Sequence, residues 1–298
     1  PCHAGTVPMM RWLYSSAVWL AQPFLRAKLR RRSVAEPGYG EAIEERFGCY
    51  TQPAEPIANG IGAGTIGAHR FIWVHAVSLG EARAAAVLVA ELRLEYPGMR
   101  LLLTHGTATG RAQGKALLQS GDVQVWQPWD TVDAVTRFVQ HFQPRMGLLI
   151  ETEVWPIMVA TCKRLQVPLC LVNARLSDKS LRQALRLKSL SRAAFSDLHA
   201  VWAQTPGDAA RLQQLGAPVR GSLGNFKFDA TPDGAQLMQG TVWRGALGKP
   251  VVMFASSRDG EEGMLLDVLQ VLQQQKKEPN SLVAPVQKGQ AAIKNIAP

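Results

Sequence analysis

The chain has 298 residues, 47% of them hydrophobic, and its 33 Lys and Arg against 23 Asp and Glu give a formal net charge of +10. The hydrophobic content is enough for a large core, and the length suggests about two domains of ~150 residues each. The basic excess favours an anionic partner, but the chain has no aromatic-and-basic RNA motif and no helix-turn-helix pattern, so we expect no nucleic-acid partner.

The four cysteines are Cys2, Cys49, Cys162 and Cys170, and they form no C-x-x-C pair and no metal-ligand spacing. Two of them lie in apolar runs, where a cysteine acts as a small hydrophobic residue. We therefore expect a reducing, cytosolic setting and no metal site.

The N-terminal segment, residues 1–35, combines an apolar and aromatic stretch (W-L-Y-S-S-A-V-W-L-A-Q-P-F-L, 12–25) with a basic cluster (R-A-K-L-R-R-R, 26–32). The apolar stretch is shorter than the ~20 residues that span a bilayer, and Gln22 and Pro23 interrupt it. A signal peptide carries its charges before the apolar stretch, whereas here they follow it.

We predict that this segment is a helix in the membrane interface, with Trp12 and Trp19 at headgroup level and the basic cluster on anionic lipid. The alternative is an N-terminal helix packed on the protein itself. Met9 or Met10 is the expected natural start.

From residue 71 onward, short apolar runs alternate with stretches of helical length and periodicity. This alternation predicts a parallel sheet covered on both faces, that is, a complete Rossmann-like α/β domain over residues 36–228. The predicted strands are 71–77, 100–105, 123–127, 146–151, 169–173, 199–203 and 219–222. The predicted helices are 81–95, 110–119, 131–141, 155–165, 178–195 and 206–215.

Residues 229–298 predict a second, incomplete Rossmann-like domain, with a helix at 235–246, a strand at 251–256 and a helix ending near Gln275. The order strand, Ser, Gly-Glu, helix occurs here and also at 71–95, as two Rossmann-like halves would show. Only 70 residues remain, however, and the last of them lack aromatic residues and periodicity, so we interpret the tail as coil or as sequence foreign to the fold.

In an open parallel sheet, ligands bind beyond the carboxyl ends of the strands. Glu81 follows the first strand in S-L-G-E (78–81), which fits a capping box in which the carboxylate returns to the Ser78 backbone N–H. A carboxylate at a helix N-terminus also suits a general base, because the helix dipole favours its ionised form. Both interpretations remain open for Glu81.

Three further segments lie at the same predicted edge. T-H-G-T-A-T-G (104–110) offers hydroxyls and N–H donors to an anion, or ordinary capping by Thr107 or Thr109. E-T-E-V-W-P (151–156) places two acids directly after a buried strand, which favours a functional role over solvated loop charges. Lys227, in G-S-L-G-N-F-K-F-D, is either a surface lysine or a contact for an anion.

One motif is misleading. G-A-G-T-I-G (62–67) matches G-x-G-x-x-G, but it precedes the first strand and opens no helix, so we interpret it as a flexible loop. The sequence contains no P-loop, G-x-S-x-G or zinc-ligand motif.

Several ordered motifs together resemble the Kdo (3-deoxy-D-manno-octulosonic acid) transferases of lipopolysaccharide synthesis, over roughly residues 10–270. They are E-R-F-G (45–48), H-A-V-S-L-G-E-A, L-T-H-G-T-A-T-G, P-W-D (128–130), E-T-E-V-W-P, N-A-R-L-S (173–177) and G-S-L-G-N-F-K-F-D. The resemblance implies a GT-B glycosyltransferase with two Rossmann-like domains, metal-independent and without a cofactor, at the cytoplasmic face of the inner membrane.

The resemblance also implies a reaction, the inverting transfer of Kdo from CMP-Kdo to a lipid A precursor. By motif, Glu81 matches the general base, and Glu151 and Lys227 match the residues that stabilise the transition state. The anionic membrane surface is a further expected partner. The residues expected to contact substrate are Ser78, Gly80, Thr107, Thr109, Arg175, Ser222, Ser256 and Glu261.

The sequence departs from the family after the S-x-x-x-G-E-E helix, where a Pro-Arg-His-Pro-like loop and later nucleotide-binding segments are replaced by S-L-V-A-P-V-Q-K-G-Q. We therefore expect a C-terminally truncated member that, on its own, binds CMP-Kdo poorly and has little or no transferase activity. Two alternatives remain, an inactive remnant that binds the acceptor lipid and a GT-B nucleotide-sugar epimerase relative.

Overall fold

The computed structural model describes residues 6–54, 70–230 and 232–277. Cys2, the G-A-G-T-I-G segment and the tail from residue 278 lie outside the described residues, and what was inferred from them stays a prediction. By its contacts the chain divides into two compact units, the first ending at Thr231 and the second beginning at Pro232.

The first unit is built on a seven-stranded sheet in which every adjacent pair of strands is parallel. The strand order is β3-β2-β1-β4-β5-β6-β7. The predicted α/β class and all seven predicted strands of this unit are confirmed. The strands are β1 Phe71–His75, β2 Arg100–His105, β3 Val123–Trp126, β4 Met146–Ile150, β5 Leu169–Ala174, β6 Ala200–Ala203 and β7 Val219–Ser222.

The helices of the first unit connect these strands and cover both faces of the sheet. They are α1 Thr6–Ala35, α2 Leu79–Glu95, α3 Ala108–Gly114, α4 Val132–Phe142, α5 Pro156–Arg164, α6 Asp178–Arg186, α7 Lys188–Ser196 and α8 Pro206–Gln214. Short 3-10 turns occur at Pro37–Gly40, Ile43–Phe47, Lys115–Leu117 and Phe226–Phe228.

Each face of the sheet has its own hydrophobic core. Phe71 and Trp73 point to the face covered by α4 and α5, where they pack with Phe138 and other buried side chains. Val74 points to the opposite face, with Val89 of α2. Because helices cover both faces of the sheet, the residues on either side of each strand are apolar. The strands are therefore continuous apolar runs, which could be predicted from the sequence.

The N-terminal segment forms one long helix, as predicted. α1 runs unbroken through Pro23 and includes the basic cluster. It packs on the first unit through Arg11, which contacts Asp197 at 2.6 Å, and through Tyr14, which hydrogen-bonds Asp130. The alternative prediction, a helix packed on the protein, therefore describes one side of α1.

The single helix predicted over 178–195 is wrong, because the chain forms α6 and α7 with a break at Leu187. Leu181 and Leu190 are both buried. Nine residues of continuous α-helix would place them on opposite sides, so the break lets both face the core. The helix predicted over 110–119 is also shorter, because α3 ends at Gly114. Gly114 lies so close to the His105 ring that a Cβ atom at this position would overlap it.

The second unit contains α9 Gly234–Leu247 and α10 Glu261–Lys277. The strand predicted at 251–256 is wrong, since these residues adopt no strand and pair with none among the described residues. Their side chains are all exposed, and no side chain described between 232 and 274 is buried. A strand is stabilised by its neighbours, so a β-type sequence without a paired neighbour stays irregular.

Candidate functional site

The candidate site lies where the strand order reverses. The chain proceeds from β1 outward to β2 and β3, then returns to place β4 on the other side of β1. In open α/β sheets, ligands bind at this switch point, beyond the carboxyl ends of the strands. Glu81 follows β1 and Glu151 follows β4, so these two predicted residues come from adjacent strands.

Glu81 lies in the first turn of α2 and is held on both carboxylate oxygens. Ser78, the N-cap residue, accepts the Glu81 N–H at 3.3 Å and donates its hydroxyl to Glu81 Oε1 at 3.0 Å. The Val77 N–H donates to Oε2 at 2.8 Å. The capping box is therefore present, but the carboxylate returns to the N–H of Val77 and not to the expected N–H of Ser78.

Glu81 is only 9% exposed, and burial raises the pKa of its carboxyl group from 4.5 to about 7. The carboxylates of Glu153 and Glu151 raise the pKa further, while the bonds from Val77 and Ser78 lower it. A carboxyl group with a pKa near neutrality can accept a proton in its ionised form and release it again. Capping and proton transfer are thus compatible in one side chain.

Glu151 and Lys227 form an ion pair, although 76 positions separate them in the chain. Lys227 Nζ lies 2.9 Å from Glu151 Oε1, and an Arg175 guanidinium nitrogen lies 3.5 Å from Oε2. Glu151 is buried, and its φ of 62° is a left-handed value, unusual for a residue other than glycine. Such backbone conformations concentrate at functional sites.

Glu153, the second acid of E-T-E, is a neighbour that the predicted site omits. Burial raises its pKa, and the Trp155 indole N–H donates to Oε2 at 2.9 Å. Its charge contributes to the raised pKa of Glu81. The spacing E-x-E-x-W directly after a buried strand was the available signal.

Three of the residues predicted to contact substrate lie at the starts of α2 and α3. Ser78 bonds Glu81, and Gly80 lies beside it in open space, since a Cβ atom there would meet only Ser78 Oγ, at 4.0 Å. Thr107 is the N-cap of α3: its hydroxyl donates to Val77 O at 2.9 Å and accepts from the Gly110 N–H at 3.1 Å. These bonds of Thr107 serve the fold, as in the capping alternative.

The remaining predicted residues lie at exposed positions. Thr109 is exposed in the first turn of α3, and Ser222 ends β7. Ser256 and Glu261 belong to the second unit, where Glu261 Oε2 accepts the Arg258 N–H at 2.9 Å. The structure therefore brings Ser78, Gly80, Glu81, Glu151, Arg175 and Lys227 to the carboxyl edge of the sheet, and describes Ser256 and Glu261 in a separate unit.

Two motif acids near this edge have structural partners. Asp130, of P-W-D, caps α5 by accepting the N–H groups of Ile157 and Met158 at 3.1 and 2.7 Å. Burial raises the pKa of Asp130 to about 6. Glu45, of E-R-F-G, is buried and accepts the Trp126 N–H at 2.8 Å and the Arg111 guanidinium at 2.9 Å.

The N-terminal helix α1 has an exposed apolar face. α1 exposes Trp12, Leu13, Trp19, Leu20 and Phe24, which lie within about 140° of the helix circumference at ~100° per residue. None of the described helices combines the length and the hydropathy that a membrane crossing requires.

Among the described side chains, no cluster of three or more His, Cys, Asp or Glu could hold a metal ion.

Most of the first unit is similar to one family of known proteins. Residues 41–230 match the family described as 3-deoxy-D-manno-octulosonic-acid transferase (kdotransferase). The 3-deoxy-D-manno-octulosonic acid transferase of Bordetella pertussis is 47% identical over 207 residues, covering 68% of this chain and 48% of the relative. The Haemophilus influenzae protein of the same name is 28% identical over 264 residues, covering 87% and 59%.

The chain thus spans about half the length of the relatives that it matches. Among solved structures, UDP-GlcNAc 2-epimerase from Neisseria meningitidis is similar with a TM-score of 0.42 and 16% identity, covering 59% of this chain and 52% of that one.

Proposed function

This chain belongs to the 3-deoxy-D-manno-octulosonic-acid (Kdo) transferase family, and we propose that it transfers Kdo from CMP-Kdo to a hydroxyl of a lipid A precursor, with inversion and without a metal or cofactor. The observation that carries the proposal is the convergence of a buried carboxyl group with a pKa of about 7, Glu81, and the Lys227–Glu151 ion pair at one edge of the sheet.

Glu81 acts in the proposed reaction as the general base. Its carboxylate takes the proton of the acceptor hydroxyl while the hydroxyl oxygen forms a bond to the anomeric carbon of Kdo. The bond from that carbon to the CMP phosphate breaks at the same time, and its electron pair leaves with the phosphate. A pKa near 7 suits this task, because general bases work best when their pKa lies near the operating pH.

Lys227 and Glu151 stabilise the charges that develop in this step. The departing phosphate gains negative charge, and a fixed ammonium group nearby lowers the energy of that state. Glu151 holds Lys227 through the 2.9 Å contact, and its own buried carboxylate faces the positive character that the sugar acquires. Arg175 adds a second cation 3.5 Å from Glu151.

The proposed acceptor is a phosphorylated lipid, so the protein works at a membrane surface. The exposed apolar residues of α1 suit the interface of a bilayer, and Arg30 and Arg31 at the end of the same helix suit anionic lipid. These residues support a monotopic attachment to a membrane surface, which we propose is the cytoplasmic face of the inner membrane. Ser256 and Glu261 of the second unit are proposed to contact the CMP-Kdo donor.

The test is transfer of labelled Kdo from CMP-Kdo to a lipid A precursor in mixed micelles by the purified chain. Glu81→Gln removes the base but retains a capping side chain, so we expect a loss of about 10²–10⁴-fold. Glu91→Gln, an exposed position on the same helix α2, is the matched control and retains activity.

Two outcomes would contradict the proposal. Equal activity of Glu81→Gln and wild type would remove Glu81 from the role of base. Binding of the lipid A precursor by the wild-type chain, together with no transfer of Kdo, would reject transferase activity for this chain and favour the acceptor-binding alternative.

A further inference from the structure

We propose that Asn173 is a positioning residue, which holds the 223–229 loop against the sheet and thereby places Lys227 on Glu151. At the end of β5, the pairing of β5 with β6 shifts register between Leu171 and Ala174. Asn173 lies in this irregularity with a φ of 51°, and its side chain is buried. β-Bulges are common beside active sites because they re-aim a side chain.

Both polar atoms of the Asn173 side chain reach the loop. Its Oδ1 accepts the Phe226 N–H at 3.2 Å, and its Nδ2 donates to Asn225 Oδ1 at 3.3 Å. The same Asn225 oxygen accepts the Lys227 N–H at 3.1 Å. The amide of Asn173 is thus connected to the backbone of Lys227 through one side chain.

A residue directly after β6 stabilises the irregular backbone at Asn173. Gln204 Nε2 donates to the Asn173 backbone oxygen at 3.0 Å. A buried amide that bonds through both polar atoms is a firm anchor, since breaking either bond would leave a polar atom unpaired away from water.

The loop needs such an anchor because few of its own side chains pack. Leu223 and Phe228 are 68% and 87% exposed, and Gly224 has a left-handed φ of 88°. Phe226 is partly buried against the core on the α2 face. Without Asn173, the loop would keep the Phe226 contact and the bond from the Leu223 N–H to Ala203 O, but it would lose the two bonds that tie Phe226 and Asn225, the residues directly before Lys227, to the sheet.

The catalytic consequence rests on the proposed function. If Lys227 stabilises the departing phosphate, its ammonium group must be held in place before the reaction, because preorganised charge is what lowers the barrier. Loss of the anchor should then lower kcat while leaving KM nearly unchanged.

The first measurement does not depend on activity. The rate of acetylation of Lys227 by an activated ester is followed by mass spectrometry, with the exposed Lys188 as an internal reference. Asn173→Gly removes the side chain but tolerates the positive φ. Gln166→Gly is the matched control, because Gln166 has a φ of 58° and lies before β5, at the other end of the strand. Asn225→Ala breaks the anchor from the loop and leaves the sheet intact.

We expect Lys227 to react about three- to tenfold faster in Asn173→Gly and Asn225→Ala than in wild type or Gln166→Gly, because the ion pair with Glu151 is loosened. Rates within about twofold of wild type in folded Asn173→Gly and Asn225→Ala would overturn the proposal. If Asn173→Gly fails to fold, Asn173→Asp replaces it, because Asp retains an acceptor for the Phe226 N–H but has no donor for Asn225 Oδ1, and the same two outcomes apply.

Kdo transfer is then measured on the same variants. A roughly tenfold loss of kcat with KM changed less than about threefold, absent in Gln166→Gly, supports the positioning role. An equal loss in Gln166→Gly would show a general backbone effect and reject that role. If wild type transfers no Kdo, the proposed function fails, while the acetylation rates still decide whether Asn173 anchors Lys227.

Discussion

Two segments of this chain share one sequence pattern and differ in their environment. Residues 71–95 and 251–277 each run from a β-type stretch through Ser and Gly-Glu into a 17-residue helix. In the first, Phe71–His75 is a buried strand paired on both sides, and Glu81 is buried. In the second, 251–256 forms no strand, and Val252 and Met253 are 74% and 83% exposed.

The sequence pattern of a segment determines which secondary structure it can adopt, and its packing neighbours determine whether that secondary structure forms. β1 gains its stability from β2 and β4 and from two cores, and Glu81 gains its pKa from the same burial. The second segment has the side chains of a strand but no paired strand within the described residues. Substitutions and pH changes that affect the buried residues of the first segment, but not the exposed residues of the second, test this difference.

The largest expected effect is on the free energy of unfolding, when the first residue of each β-type stretch is replaced by Ala. Phe71→Ala should lower the free energy of unfolding by about 3–5 kcal/mol, because Phe71 is fully buried among other aromatic side chains. Val251→Ala should change it by less than about 0.5 kcal/mol, since Val251 is 42% exposed. Urea denaturation measures both, and similar losses would show that the second stretch is packed in solution.

The next effect concerns the burial of Glu81 and the pH dependence of Kdo transfer. The base must be ionised, and burial raises its pKa to about 7. We therefore expect kcat/KM to rise about 100-fold between about pH 5 and pH 8 and then to level off, since ~1% of a group with that pKa is ionised at about pH 5. A profile that is flat above about pH 5 would contradict the raised pKa.

The Glu81 carboxyl group also makes the stability of the fold depend on pH. Stability should fall as the pH rises, whereas kcat/KM should increase. The folded pKa of about 7 lies above the unfolded value of 4.5, so the neutral form favours folding. This stability is fully present below pH 4.5 and is lost as the pH rises through about 7. Because Gln does not titrate, the stability of Glu81→Gln relative to wild type should increase by about 1–3 kcal/mol from about pH 4 to about pH 8.

Urea denaturation of Glu81→Gln and wild type at about pH 4 and about pH 8 provides this measurement. Glu91→Gln serves as the control, because it makes the same chemical change at an exposed position of the same helix. A difference between Glu81→Gln and wild type that is independent of pH would mean that Glu81 titrates normally.

The smallest expected effect concerns the Lys227–Glu151 pair. Lys227→Ala leaves the buried Glu151 carboxylate with Arg175 as its remaining cation, so we expect a loss of about 1–2 kcal/mol. Lys163→Ala, which removes a more exposed partner of Asp197, should cost less than about 1 kcal/mol. Equal costs in thermal or urea unfolding would show that the Glu151 pair is no more shielded than a surface pair.

The sequence predicted well those features that local composition determines. The seven strands of the first unit are short apolar runs because the sheet is buried on both faces, and Glu81 was recognisable because S-x-x-E is a local capping pattern. The polar residues at the ends of the runs also predicted that Glu81, Glu151 and Lys227 lie at one edge of the sheet, because parallel strands all present their carboxyl ends to the same edge, and the structure places them there. Their catalytic roles stay predictions.

Features that depend on contacts between residues far apart in the chain could not be predicted from the sequence. The contact of Lys227 with Glu151, the anchoring of the 223–229 loop by Asn173 and the docking of α1 through Arg11 join residues 52 to 186 positions apart. The break at Leu187 and the irregular conformation of 251–256 likewise depend on what each segment packs against. Sequence patterns report the preference of a segment, whereas long-range contacts supply most of the free energy that turns a preference into structure.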